Sequence, residues 1–132
     1  MTLSEIGSIS YWAKTVSASD ERLRPWVGIY LDADDDGNWD YYIQAEPMYA
    51  YPCGAFGGTL DTWELWDSDD ADHALRWIST ESPDLPYEAP FLADYIDGSA
   101  VSYETDDHGT QSFATIEYGS LTVIQITFMV GY

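Results

Sequence analysis

A chain of 132 residues with 24 Asp and Glu against 4 Lys and Arg carries a formal charge of −20 at pH 7, yet 45% of it is hydrophobic and 16% aromatic. That combination excludes a disordered acidic tail, which would lack the six Trp, eleven Tyr and four Phe present here, and predicts one compact domain over residues 1–132. It also excludes ordinary nucleic-acid binding, because only Lys14, Arg22, Arg24 and Arg76 are available to neutralise phosphates.

No apolar window approaches the length of a bilayer span, and the opening Met-Thr-Leu-Ser-Glu lacks the basic and apolar regions of a secretory signal. The expectation is a soluble, cytoplasmic protein that anionic membranes repel. Cys53 has no second cysteine to pair with, and one thiol with two histidines falls short of a structural zinc site. Stability must come from packing.

In chain order, Ile9, Tyr11 and Ala13 alternate with Ser8, Ser10 and Trp12, which favours a strand within residues 6–16. Val27, Ile29, Leu31 and Ala33 alternate next. After Asp34-Asp35-Asp36-Gly37-Asn38, so do Trp39, Tyr41, Ile43 and Ala45, and the pair reads as a β-hairpin with an acidic loop. A helix is predicted from Ser68 or Asp69. Asp70 and Asp72 sit in its first turn, Ala71, Ala74, Leu75 and Ile78 on one face, Asp72 and Arg76 four apart, and Pro83 beyond its end. A shorter helix is expected over Pro90 to Ile96, with Gly98 just past it. Val101 and Tyr103, then Ala114, Ile116 and Tyr118, then Ile124, Ile126, Phe128 and Val130 suggest a three-stranded meander whose last, most apolar strand is central. The predicted fold is α+β, a mostly antiparallel sheet with one or two short helices packed on one face.

Asp32-Ala-Asp34-Asp35-Asp36-Gly37 matches the opening of a calcium loop, but Ile43 stands where the bidentate Glu belongs, so an acidic hairpin loop is expected and no metal site is assigned. A weak calcium-binding module at Asp32 to Asp36 is one alternative. His73 and His108 each follow two acids; adjacent helical residues do not face one site, and both read as surface histidines. No nucleophile elbow exists, and Gly54-Ala-Phe-Gly57-Gly58 lacks the lysine of a phosphate loop. The chain reads as a non-enzyme without cofactors. Trp63, Trp66, Tyr41, Tyr42, Tyr49 and Tyr51 read mainly as core and sheet packing, with a partner-facing patch as the second reading.

The charge is unevenly distributed. Residues 1–31 balance three acids against three bases, residues 32–107 hold twenty acids against Arg76, and residues 108–132 add Glu117 alone. A domain of this length has a radius of gyration of about 14 Å, and a duplex as long as its width bears on the order of sixteen to twenty phosphates. An anionic surface of that density is steered toward a basic cleft, as a nucleic-acid mimic would be. High-salt adaptation, suggested by 16 Asp against 8 Glu and a single Lys, and a toxin-neutralising immunity protein share these totals.

The opening Ile6-Gly7-Ser8-Ile9-Ser10-Tyr11-Trp12-Ala13 resembles a G-x-I-x-Y-W-A segment near the start of small phage-encoded proteins. The resemblance implies a mobile-element setting, in which small acidic proteins of anti-restriction or anti-CRISPR type act in the host cytoplasm. The expectation is therefore a non-enzymatic inhibitor that blocks the basic nucleic-acid-binding site of a host defence protein, without binding nucleic acid itself. The partner-binding residues expected are Asp34, Asp35, Asp36 and Asp40 in the hairpin, Asp67, Asp69, Asp70 and Asp72 at the helix start, and Asp106 and Asp107 in the later turn, all exposed. The apolar C-terminal strand would support a homodimer if it lay at a sheet edge.

Overall fold

The computed structural model describes residues 1–16, 25–45, 60–68, 75, 77–79, 91–99, 102–105, 111–114 and 116–130. In chain order these form α1 (Leu3–Ile6), β1 (Ser10–Lys14), β2 (Trp26–Asp32), β3 (Tyr41–Ala45), β4 (Trp63–Asp67), β5 (Trp77–Ser79), α2 (Leu92–Asp97), β6 (Ser102–Thr105), β7 (Gln111–Ala114), a 3₁₀ turn (Tyr118–Ser120) and β8 (Thr122–Met129). All strand pairings among them are antiparallel, so the fold is α+β with two short helices.

The main sheet has the order β5-β3-β2-β8, and β1 with β4 and β6 with β7 form two further ribbons. Alternation places Val27, Ile29 and Leu31 of β2 on one face, opposite Ala45, Ile43 and Tyr41 of β3. This face carries the core, in which Leu3, Trp66, Leu75, Trp77, Leu92, Tyr95 and Tyr118 are also buried. Side chains of that size each contribute about 1.5–3 kcal/mol when fully buried. The Tyr118 ring meets Tyr95 at 5.0 Å and Tyr41 at 5.7 Å, both edge-on, which ties α2 and the 3₁₀ turn to the sheet. The Tyr11 ring of β1 meets Phe128 of β8 edge-on at 5.5 Å, and its hydroxyl donates to the Pro25 carbonyl at 2.8 Å. Burial pushes that phenol's pKa upward.

The opposite face of the sheet bears an aromatic row. Trp26 meets Tyr42 at 6.5 Å, Tyr42 meets Tyr30 at 4.6 Å, and Tyr30 meets Trp39 at 5.7 Å. Gly28 lies beneath the Tyr42 ring, where a Cβ would collide with it.

Three sequence expectations are corrected. The helix predicted from residue 68 does not reach its far end: Leu75 is not helical and Trp77–Ser79 is strand. Leu75 and Trp77 are both buried, and Trp77 stands opposite the small Ala45, so a two-residue alternation prevails over the helical spacing. Ser68 is buried, and its Oγ accepts the Ile9 N–H at 3.0 Å. Of the C-terminal meander only the first pairing, β6 with β7, is present; β8 joins β2 instead, and Tyr118 belongs to a 3₁₀ turn. The last strand is an edge of the main sheet rather than its centre. A β-bulge between Tyr30 and Leu31 lets both Val123 and Ile126 face the core side. The short α1 was not anticipated, whereas α2 matches its expected position, with Gly98 left-handed after its last residue.

The 3₁₀ turn fits against α2 only because residue 119 has no side chain; a Cβ there would collide with the Ile96 carbonyl. Gly119→Ala is therefore expected to lower stability by about 1–3 kcal/mol, because backbone must move. Gly28→Ala is expected to cost less, since the Tyr42 side chain can swing aside. Thermal melts of the two variants check the order.

Candidate functional site

The β2–β3 hairpin loop is built around one buried carboxylate. Asp32, the last residue of β2, is only 3% exposed. Its Oδ1 accepts the Asp34 N–H at 3.2 Å and the Asp35 N–H at 2.8 Å, and its Oδ2 accepts the Gly37 N–H at 2.8 Å. Bringing those amides round one side chain requires left-handed backbone at Asp35 (φ 59°) and Gly37 (φ 87°), which Asp tolerates and Gly favours. Asp40 closes the loop: its N–H donates to the Leu31 carbonyl at 2.9 Å, and its Oδ2 accepts the Ala33 N–H at 2.7 Å.

The exposed acids are fixed by the same means. Asp34 Oδ1 accepts the Asp36 N–H at 3.2 Å, and Asp36 accepts both the backbone and the side-chain amide of Asn38, at 2.7 and 3.0 Å. Those Asn38 bonds lower the pKa of Asp36. At Asp34 the Asp36 amide pulls downward, but repulsion from Asp36, desolvation, and repulsion from Asp40 and Asp32 prevail, and its pKa is raised.

Contacts carry this charge around the end of the sheet. Thr122, at the start of β8, donates its hydroxyl to Asp35 Oδ1 at 2.9 Å, and the same residue bridges to Thr2. The Thr2 N–H donates to Glu5 Oε2 at 2.8 Å, a bond that holds the Glu5 carboxyl low. The Leu3 N–H donates to the Leu121 carbonyl at 3.0 Å, so α1 sits against the 3₁₀ turn. Ser4, Ile96, Asp97, Gly98, Glu117, Gly119 and Ser120 line an open depression of about 410 Å³. The Asp97 carboxyl is lowered by hydrogen bonds from Ser99. Glu5, Asp34, Asp35, Asp36, Asp40, Asp97 and Glu117 are all exposed, and these contacts gather them at the end of the sheet where β8 begins.

Of the residues singled out from sequence, Asp34, Asp35, Asp36 and Asp40 share this loop and are exposed as expected. Asp67 is corrected: it is half-buried rather than exposed, ends β4 opposite Ser10, and its carbonyl accepts the Leu75 N–H at 3.1 Å. Asp69, Asp70, Asp72, Asp106 and Asp107 lie outside the described residues, as do His73, His108 and Cys53. Glu5, Asp97 and Glu117 were missed. The local signal was available for Glu5, which stands three residues after Thr2 in the spacing of a capping box. Lys14, the one Lys or Arg among the described residues, is held by Asp61 at 2.8 Å on the β1–β4 ribbon.

Carboxylate oxygens of Asp32, Asp34 and Asp40 converge within 4.8 Å of one another. Each of the three already accepts at least one backbone N–H, and Ile43, the twelfth position of a calcium loop, is a buried strand residue opposite Ile29. The loop's shape is thus specified by its own amides. No helix among the described residues is long and apolar enough to cross a membrane. Comparison with protein-family models, curated proteins and solved structures finds no match for the chain.

Two outcomes follow. On acidification Asp34 is expected to take up its proton before Asp36 and Asp97, as followed by carboxyl NMR. Glu5, Asp36 and Asp97 contribute stability above the ordinary carboxylate range that is lost as pH falls through their lowered values; Asp34 has the opposite sign, favouring the fold in its protonated form. In melting experiments, about 1 mM calcium and a chelator are expected to give the same midpoint; a rise with calcium would assign the loop to a cation.

Proposed function

We propose that this chain is a non-enzymatic inhibitor whose acidic end occupies the basic nucleic-acid-binding site of another protein, in the manner of a phosphate backbone. The single observation that carries the reading is the fixed acidic loop. Asp34 and Asp36 each accept a local backbone hydrogen bond through a carboxylate oxygen, Asp35 accepts one from Thr122 of β8, and all three remain exposed. Carboxylates held in this way lose less freedom on binding than flexible ones, so more of their attraction for Lys and Arg appears as affinity. Their neighbours Glu5, Asp97 and Glu117 widen the anionic surface beyond one loop.

The remaining charge supplies a longer-range effect. A net charge of −20 steers the molecule toward a basic cleft and away from nucleic acid. The partner fitted by this chemistry is a basic nucleic-acid-handling protein, and the phage-like opening segment favours a host defence protein of the restriction or CRISPR kind. The site needs no cofactor. The same physics serves a partner that is a basic nuclease toxin, and partner identification separates the two.

The test is capture from a bacterial lysate with the intact chain, beside the Asp34, Asp35, Asp36, Asp40→Asn variant, followed by competition with duplex DNA. Wild type is expected to capture a protein that DNA displaces. The variant is expected to bind it at least about tenfold more weakly and with a shallower salt dependence. Equal affinity and an equal salt slope would overturn the assignment of the loop.

A further inference from the structure

We infer that the exposed edge of β8 is a self-association surface, through which two copies pair antiparallel about a two-fold axis and join their main sheets into one. The inference does not depend on the function proposed above.

Three observations carry it. First, β8 is an edge strand eight residues long: β2 lies on one side of it, and on the other, among the described residues, Met1 and Thr2 alone cover its start, through the Val123 N–H donated to the Met1 carbonyl at 2.8 Å and the Thr2–Thr122 bridge. From Ile124 to Met129 no second strand lies beside it among the described residues, so a row of backbone donors and acceptors faces outward. Second, the same stretch is apolar and exposed: Ile124 40%, Ile126 40%, Phe128 57% and Val130 80%. Edge strands that must stay single carry charges or proline, and Thr122–Met129 has neither.

Third, the charge distribution selects both the occupant and its orientation. Residues 118–132 contain no Asp, Glu, Lys or Arg, so a second copy can approach here without opposing carboxylates in the ladder. The acidic loop is fixed to the start of β8 by the Asp35–Thr122 bond. Parallel pairing would set two such loops side by side. Antiparallel pairing of the uncovered stretch, centred near Ile126, sends them beyond opposite ends of the ladder, about 27 Å apart, roughly three Debye lengths at physiological salt. Antiparallel self-pairing is also closed, since each edge is satisfied by the identical edge of its partner.

The size of the contact sets the expected strength. The four exposed side chains each offer on the order of 100 Å², about half of the ~800 Å² per partner of a standard interface, and the new backbone ladder adds to it. A dimer with a dissociation constant on the order of 10 µM is expected.

The test is sedimentation of the full chain over about 1–200 µM at physiological salt, with hydrogen exchange read at residues 124–129 in the same samples. A reversible dimer is expected, with outward amides of β8 gaining protection as concentration rises. Phe128→Lys, with an unchanged circular dichroism spectrum, is expected to weaken association at least about tenfold. Monomer throughout the range would overturn the inference. So would a dimer in which β8 exchanges as it does in the dilute monomer, or a natively folded Phe128→Lys that associates as wild type does. Should that variant fail to fold, the exchange pattern of the wild-type chain decides.

Discussion

The buried carboxylate of Asp32 is the constraint on which the acidic end depends. Hydrogen bonds to a charged acceptor contribute about 1.5–3 kcal/mol each, and Asp32 receives three from the loop that follows it. Two unit charges about 4 Å apart in water repel by about 1 kcal/mol, and salt weakens that further. The amides therefore win, and four consecutive loop positions containing three acids fold back tightly instead of splaying apart. The raised pKa of Asp34 is the residue of that contest: the repulsion remains even though the geometry has been decided against it.

This anchoring extends beyond the loop because of where Asp32 sits. It ends the central strand β2, whose partner across the bulged ladder is the start of β8. Fixing Asp35 next to Thr122 puts the loop beside the bridge to Thr2, and through Thr2 beside Glu5. The 3₁₀ turn and α2 are drawn to the same end by Tyr118 and by the close approach at Gly119. Acids from the neutral first segment, the acidic middle and the nearly uncharged last segment of the chain are thereby collected in one region.

That collection explains how much of the molecule was legible in its sequence. The hairpin from Val27 to Ala45 could be read because its alternation, its loop and its pairing are all local. The second helix could be read from Gly98, whose conformation ends it. The partner of β8 could not, because β2 lies some ninety residues earlier and apolar alternation alone names no neighbour. The helix expected from residue 68 does not extend to residue 78 for a related reason: Leu75 and Ile78 fit a helical face in sequence, but Trp77 found a place opposite Ala45 that only the assembled sheet offers. For the acidic site, Asp34 to Asp40 were visible as a cluster because they are neighbours in the chain. Glu5 and Glu117 were not, since tallying charge by segment separates residues that folding brings together.

The acidic end and the apolar edge also bear on each other. A highly charged chain ordinarily relies on net repulsion to keep its sheet edges apart, and that repulsion acts over a Debye length of about 8 Å at physiological salt. Strand pairing acts over hydrogen-bond distances and feels mainly the charges that lie beside the ladder. With Ile124 to Met129 free of charge and the fixed acids at one end of the strand, the two effects operate in different places. Net charge can then be high enough to direct the molecule toward a basic surface without blocking the edge. Moving the anchored loop to the middle of β8 would bring the two into direct opposition, and the placement of Asp32 at the end of β2 is what prevents it.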